Sequence, residues 1–300
     1  MTSRHVMMAI SVMTIWGFNF LAIKNILDVL PPFLALTLRF ATVCVILLPF
    51  VGLPRGRFGQ VMIVSLLLGV GHFGLYFFGM ARVDGGLGAV LVQTEIIFIA
   101  ILGVILLREE VNRSLIAAFL IALVGMAFLL FEPSERVVQN SSARIIGAAS
   151  ILVASFSWAL SNYYIKRRFA DVGTFTLLAW TALGTTPLML LLSLLVEGID
   201  PWMGMFEVSS GVWGALAYII IGSNLIAYYL WYELVKECPL SRISLFLLFV
   251  PVVAIAANVI FRGESLTTAR VIGALCVFSA IALSKHSMLP RTNSVREANS

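Results

Sequence analysis

Long runs of apolar residues, each about as long as a membrane-crossing helix, alternate along the chain with short polar connections. A helix needs about 20 mostly apolar residues to cross about 30 Å of hydrocarbon. Ten such windows are separated by charged residues, Pro or Gly, and no connection is long enough for a folded soluble domain. The windows cover residues 5–24, 31–53, 60–81, 86–107, 115–131, 145–165, 174–196, 211–233, 242–261 and 270–288. The pattern predicts an all-α membrane protein with ten transmembrane helices.

Composition excludes several other classes of protein. The chain is 60% hydrophobic and 12% charged, with a mean hydropathy of +1.02, whereas a soluble domain is roughly half apolar and a quarter charged. We therefore expect a lipid bilayer as the solvent, and neither disorder nor a nucleic-acid partner. Cys44, Cys238 and Cys276 lie far apart, without a CxxC pair or a nearby His. No disulfide framework, metal site or cofactor is predicted.

The positions of the basic residues predict the orientation of the helices. With the amino terminus inside, thirteen Lys and Arg residues fall on the cytoplasmic side and six on the opposite side. Because cytoplasmic loops carry an excess of Lys and Arg, we expect both termini in the cytoplasm. The net charge of +5 then marks orientation and gives no evidence for an anionic ligand.

The chain contains an internal repeat. Trp16-x7-Lys24 recurs as Trp158-x7-Lys166 at an offset of 142 residues. Further matches follow in the same order, with slightly larger offsets. They are Tyr76 with Tyr229, and Arg108-x-Glu110 with Arg262-x-Glu264.

The repeat divides the chain into two five-helix units. We predict a first repeat at 5–131, a connecting loop at 132–144, a second repeat at 145–288 and a polar tail at 289–300. An odd number of helices makes the second unit enter the membrane in the opposite sense. Inverted repeats are typical of secondary transporters, whose substrate sites lie near the midplane between the halves.

Several short sequences in the two repeats form an ordered set. They are Trp16-Gly17-Phe18-Asn19-Phe20, Ile23-Lys24, Pro31-Pro32, Leu38-Arg39-Phe40, Phe156-Ser157-Trp158-Ala159, Asn162, Lys166, and Arg242 followed by Pro251-Val252-Val253. This set resembles a known family, the EamA transporters of the drug/metabolite transporter superfamily. The chain is most similar to the branch of cysteine and O-acetylserine exporters. That resemblance implies ten helices, a bacterial-type inner membrane, and export of amino acids or related metabolites.

The fourth predicted helix departs from this branch. Where these exporters show a Gln-x-Gln pair, this chain has Gln93-Thr94-Glu95. An ionisable group therefore stands where an amide is expected, which weakens a strict transfer of the cysteine assignment.

Arg39 and Glu95 are charged residues well inside predicted spans. A charge in hydrocarbon costs at least about 2.5–3.5 kcal/mol on insertion scales. Arg39 lies eight residues from the outer end of the second span, about 12 Å, and Glu95 lies at a matching depth in the fourth. We expect a shared cavity in which Arg39 binds a substrate carboxylate and Glu95 binds and releases a coupling proton. A static Arg39–Glu95 ion pair, or Arg39 bonded to backbone carbonyls, is the alternative.

Other polar and aromatic side chains at helical spacing extend this expected site, since residues three or four apart share a helix face. The candidate substrate-binding residues are Trp16, Asn19, Arg39, His72, Tyr76, Gln93, Trp158, Asn224 and Tyr228. Helix packing is the alternative for several of them, and it is favoured for Asn162. His72 ranks below Glu95 as a proton-coupling group. By analogy with the family, Pro251 in the ninth helix is the hinge candidate.

Taken together, the sequence favours a transporter and not an enzyme. The leading hypothesis is an exporter of small polar metabolites that works by alternating access. The same fold carrying drugs, purines or other metabolites is the main alternative. An intramembrane enzyme is disfavoured, because no catalytic signature stands out. A non-transporting membrane protein is disfavoured, because buried Arg39, buried Glu95 and the repeat would then lack a purpose. The sequence does not indicate an oligomeric state.

Overall fold

The structure, a computed structural model, describes residues 1–54, 56–83, 88, 91–109, 113–130, 141–262 and 267–286. Within these ranges the chain is helical and has no strand. Ten long helices lie within the described ranges: α1 Ser3–Leu27, α2 Pro32–Leu47, α3 Phe58–Met80, α4 Thr94–Leu107, α5 Arg113–Leu130, α6 Ser141–Arg168, α7 Thr174–Glu197, α8 Ser210–Glu237, α9 Leu240–Phe261 and α10 Thr268–His286. The predicted all-α class is confirmed.

Seven of these helices, α1 to α3 and α6 to α9, are long and apolar enough to cross a membrane. The other three contain shorter apolar helices, at Thr94–Leu107, Ile116–Gly125 and Val271–Ala280. Helix α6 begins at Ser141, so the last part of the predicted loop 132–144 is helical. Part of the predicted fourth span, residues 132–140 and the predicted tail 289–300 lie outside the described residues.

The helix ends follow from local backbone chemistry. Pro31 is extended (φ −61°, ψ 150°) and Pro32 occupies the first helical position of α2, where its missing N–H leaves no intrahelical bond unmade. Arg108 adopts a left-handed conformation (φ 55°) directly after α4. Gly198 (φ 81°) ends α7, a position that glycine occupies without steric cost.

The two halves of the chain make equivalent helix–helix contacts, so that exchanging each helix for its counterpart in the other half gives the same set of packed pairs. Helix α1 packs on α8 and α9, and its counterpart α6 packs on α3 and α4. Helices α2 and α7 pack on each other, as do α5 and α10. The central helices therefore enclose one shared space to which both halves contribute walls.

Two helices at corresponding places in the halves contain a π-helical segment. Helix α3 changes to π geometry at Ser65–Gly74, and α8 does so at Ile219–Ala227. Segments of this kind are often found at functional sites. Close contacts accompany the first one, because a Cβ at Gly69 or Gly71 would clash with Thr185 or Ser157. The residue spacing in the sequence did not predict the π geometry.

Polar contacts join the connections at the end of the bundle where α1 begins. Arg57, between α2 and α3, donates two hydrogen bonds to the carboxylate of Asp171, between α6 and α7, at 2.8 and 2.7 Å. The hydrogen bond from Arg57 lowers the pKa of Asp171, and the same bond raises the pKa of Arg57. The connections predicted to be cytoplasmic therefore meet at one end.

Candidate functional site

A cavity of about 100 Å³ lies between the two halves. Its walls come from α1, α2, α3, α4, α6, α8 and α9. The lining residues are Trp16, Asn19, Phe20, Ile23, Arg39, His72, Phe73, Tyr76, Phe77, Val92, Gln93, Glu95, Ile96, Trp158, Ser223, Tyr228, Leu247 and Val250. Most of the residues selected from the sequence are in this set, although they come from six different segments of the chain.

Arg39 is a fully buried cation in the wall of this cavity. Its side chain has 0% exposure, and Nε donates a hydrogen bond of 3.0 Å to Asn224 Oδ1. Nη2 donates to the same oxygen, and the guanidinium carbon lies 4.4 Å from the centre of the Phe73 ring. Nη1 has no hydrogen-bond partner among the described residues. Because a buried unpaired charge is costly, this atom favours an anionic group in the cavity.

Glu95 brings the opposite charge type to the same cavity. Its side chain is 13% exposed, and Oε1 lies 3.4 Å from His72 Nδ1 without hydrogen-bond geometry to any described residue. The two cavity residues Arg39 and Glu95 are not paired with each other; the neighbour of Glu95 is His72. The static Arg39–Glu95 pair that the sequence left open is therefore not formed.

His72 lies between the two halves of the chain. Its Nδ1 is 3.3 Å from the carbonyl oxygen of Ala154 in α6 and 3.4 Å from Glu95 in α4. The imidazole stacks on Tyr76, with ring centres 5.9 Å apart and an angle of 7° between the planes. The ring can hold one proton on either nitrogen, so it can donate to or accept from a group beside Glu95.

Aromatic side chains form the floor of the cavity. The ring of Trp16 lies 6.1 Å from Trp158 and 5.2 Å from Tyr228. Trp158 in turn stacks on Trp231 at 5.3 Å. Flat aromatic faces of this kind attract both cations and rings.

Family comparisons agree with this arrangement. A family model described as the EamA-like transporter family matches residues 3–131 and again 145–285. The chain belongs to the EamA-like transporter family. It is therefore a multi-pass membrane protein of a transporter family, and its family gives no support to an enzyme.

Relatives of this EamA-like transporter are similar along nearly the whole chain. A protein of Salmonella typhimurium named probable amino-acid metabolite efflux pump is 28% identical over 282 residues, covering 91% of this chain and 92% of that protein. The Escherichia coli protein of the same name is 24% identical over 289 residues and covers 94% of each chain. The uncharacterized transporter YoaV of Bacillus subtilis is 26% identical over 279 residues, with 91% of this chain and 93% of that one covered.

A solved crystal structure supports the fold alone. It matches the EamA-like chain with a TM-score of 0.78 and 21% identity, and it covers 96% of this chain and 98% of the other. The helical arrangement is thus one that an experimentally determined protein adopts.

Three residues of the EamA-like transporter that the sequence analysis considered do not line the cavity: Asn224, Asn162 and Pro251. Asn224 lies beside Arg39 and outside the main cavity wall. Asn162 accepts a hydrogen bond of 2.6 Å from Trp231 and donates one of 2.8 Å to the Trp158 carbonyl, as expected for a packing residue. Pro251, the hinge candidate, follows the cavity-lining Val250 at a place where α9 changes from a 3-10 to an α conformation.

Sequence reasoning missed other contributors to the site. Ser223 and Trp231 lie on α8 beside the selected Asn224 and Tyr228, but their spacing alone did not distinguish them from packing residues. Phe73 follows His72 directly, so an ordinary helix would place it on a different face. The sequence holds no signal for these contacts, because they depend on the π segments and on partners in distant helices.

Among the residues that the structure describes, no three His, Cys, Asp or Glu side chains lie close enough together to bind a metal ion. The chemistry available in the cavity consists of hydrogen bonding, charge pairing, aromatic stacking and proton binding at Glu95 and His72.

Proposed function

We propose that this chain exports small polar metabolites, namely amino acids or their derivatives of the cysteine and O-acetylserine type. The observation that carries the proposal is a pair of buried groups, one basic and one acidic, in the wall of one cavity: Arg39 Nη1 and Glu95 Oε1, neither of which has a hydrogen-bond partner among the described residues. An amino acid carries a carboxylate and an ammonium group on one carbon. Its two charges complement the two groups, and hydrogen bonds between ionised partners are about twice as strong as neutral ones.

Neutral polar atoms in the cavity support a zwitterionic cargo as well. Asn19 Oδ1 and Ser223 Oγ are buried without a partner among the described residues. The amide oxygen can accept a hydrogen bond from an ammonium group, and the hydroxyl can donate or accept. The names of the Salmonella and Escherichia coli relatives, probable amino-acid metabolite efflux pumps, agree with this class of cargo.

The proposed mechanism is alternating access between the two halves. Because the packing of the helices is unchanged when the halves are exchanged, a conformation open at one end has a counterpart open at the other. We place the chain in a bacterial-type inner membrane with both termini in the cytoplasm, on the basis of its basic residues and its family resemblance. Pro251 is the proposed hinge.

Protons are the proposed coupling ion, bound at Glu95. The carboxylate has His72 as its neighbour at 3.4 Å, so a proton can move between the carboxylate and the imidazole as the cavity opens. Glu95→Gln keeps the shape and removes the charge. We expect this variant to lose the pH dependence of export, and Glu207→Gln, an exposed position in the α7–α8 connection, to retain it. Full pH dependence in Glu95→Gln would show that another group binds the proton.

Counterflow in proteoliposomes tests the cargo. Purified protein is reconstituted with one unlabelled amino acid inside, and uptake of the labelled amino acid is followed, for a panel that includes cysteine and O-acetylserine. We expect exchange of at least one panel member above protein-free liposomes. No exchange of any amino acid would contradict the proposed cargo and leave the family membership intact.

A second candidate cargo is a flat ring compound such as a purine or a drug. The observation in its favour is the aromatic floor formed by Trp16, Trp158 and Tyr228. The same counterflow assay with labelled adenine separates the candidates. Exchange of adenine together with inactivity of the amino-acid panel would support the second cargo.

A further inference from the structure

Asn224 makes an unusual contact, since its side-chain oxygen accepts hydrogen bonds from two nitrogens of the same guanidinium. Nε of Arg39 donates to Asn224 Oδ1 over 3.0 Å, and Nη2 donates to the same atom. The two residues are 185 positions apart in sequence, in α2 and α8. Asn224 is 6% exposed and Arg39 is 0% exposed, so water does not compete strongly for these bonds.

This contact determines which edge of the guanidinium is occupied by the protein. The donors of an Arg side chain are held in a rigid planar fork. With the Nε–Nη2 edge bound to Asn224 and one face over the Phe73 ring at 4.4 Å, rotation of the plane is restricted. Nη1 remains without a partner among the described residues, and Arg39 lines the cavity.

The chemical identity of residue 224 also determines the charge of the site. An amide accepts hydrogen bonds without neutralising the guanidinium, so the positive charge of Arg39 stays available. A carboxylate in the same place would pair with Arg39 and compensate that charge inside the protein. A neutral acceptor is therefore suited to a site that takes its counter-charge from a ligand.

The location of Asn224 in a π segment has a parallel in the other half. Asn224 lies in Ile219–Ala227 and contacts the cationic residue of the cavity. His72 lies in Ser65–Gly74 and contacts the acidic residue. Each charged side chain of the cavity thus has a polar neighbour from a π segment of another helix, and only the Arg39–Asn224 contact is a hydrogen bond.

We propose that Asn224 is a positioning residue, which orients Arg39 through its amide oxygen so that Nη1 binds an anionic group of the cargo while the charge of Arg39 stays uncompensated. This role rests on the proposed function, because the cargo supplies the anionic group.

Transport kinetics of Asn224→Asp and Asn224→Ala test this role. In Asn224→Asp the new carboxylate pairs with Arg39 and competes with the cargo, so KM for the panel amino acid with the fastest wild-type exchange rises. A hydrogen bond to a charged group is worth about 1.5–3 kcal/mol, which corresponds to a rise of roughly 10- to 150-fold. Asn224→Ala also raises KM, because Arg39 loses its anchor.

Thermal stability separates positioning from a general folding defect. Asn224→Asp gives the buried cation a counter-charge, so its melting temperature equals or exceeds that of the wild type, whereas Asn224→Ala melts lower. Asn162→Asp is the matched control, a buried Asn on α6 that does not contact Arg39; it lowers the melting temperature without raising KM. A wild-type KM in Asn224→Asp would overturn the inference, as would a KM rise that merely follows lost stability in all three variants.

A binding measurement distinguishes failure of this inference from failure of the proposed cargo. The probe is acetate, with chloride at equal ionic strength as the control, and the readout is the melting temperature of the purified protein. We expect acetate to stabilise the wild type and not Asn224→Asp. If the wild type exchanges no amino acid, the cargo proposal fails and the acetate measurement alone tests the role of Asn224. Stabilisation of the wild type but not of Asn224→Asp then supports that role. Equal responses of the two proteins to acetate overturn it.

Discussion

Glu109 ties the end of α4 to the start of α9, and removing it is expected to destabilise the protein measurably. Its carboxylate accepts hydrogen bonds from the backbone N–H groups of Leu240 and Ser241, at 2.7 and 2.8 Å, and from the Ser241 hydroxyl at 2.7 Å. The carboxylate, two residues beyond the end of α4, thus caps the first turn of α9. Loss of a helix cap costs about 0.5–2 kcal/mol, and loss of a negative charge at a helix amino terminus about 0.3–1 kcal/mol.

The expected cost of Glu109→Ala is therefore about 1–3 kcal/mol. At about 2–4 °C for each kcal/mol, the melting temperature falls by roughly 2–12 °C. Glu109→Gln lowers it by less, because the amide oxygen still accepts from one N–H group. The assay is thermal unfolding of the detergent-purified protein followed by tryptophan fluorescence.

Glu207→Ala is the control, since Glu207 is exposed in the α7–α8 connection. It should melt within about 1 °C of the wild type, as surface substitutions usually do. If Glu109→Ala melted together with this control, the carboxylate would not be holding α9, and the argument from its three hydrogen bonds would be refuted.

Two further predictions concern the connections and the close helix contacts. Because Arg57 lowers the pKa of Asp171 below its ordinary value of 3.8, the stabilisation from this pair is present above that value and is lost as the pH falls through the lowered pKa. Asp171→Asn should therefore melt below the wild type near neutral pH, with the difference vanishing in acid; a difference that persists in strong acid would contradict the ion pair. Gly71→Ala should cost about 1–3 kcal/mol by overpacking against Ser157, whereas Gly59→Ala, whose Cβ would meet nothing within 4 Å, should be neutral or stabilising in the same melting assay.

The features that the sequence predicted well are those governed by burial in lipid. Apolar windows of sufficient length predicted the helices, because backbone groups in hydrocarbon must bond within a segment. The same cost of burial singled out Arg39 and Glu95 among all the charged residues. Both line the cavity, as the matching depths in their spans predicted.

The features that the sequence did not predict depend on partners far along the chain. Asn224 was selected as a substrate ligand for its polarity, but its position relative to Arg39 depends on how α2 and α8 pack. Sequence symmetry matched Tyr76 with Tyr229, whereas Tyr228 lines the cavity and Tyr229 stacks on Phe175 at 4.6 Å. A π segment shifts the faces of a helix, so residue spacing alone could not distinguish these neighbours.

The separation of Arg39 from Asn224 has a consequence for biosynthesis. At about 5–20 residues per second, the 185 residues between them take roughly 10–40 s to synthesise. During this time α2 must stay in the membrane with its arginine unanchored, at a cost of about 2.5–3.5 kcal/mol. The eleven Leu, Ile, Phe and Val residues of Pro32–Phe50 contribute about −0.3 to −0.6 kcal/mol each, which offsets that cost. The apolar length of α2 thus lets the ribosome deliver the charged residue long before its partner emerges.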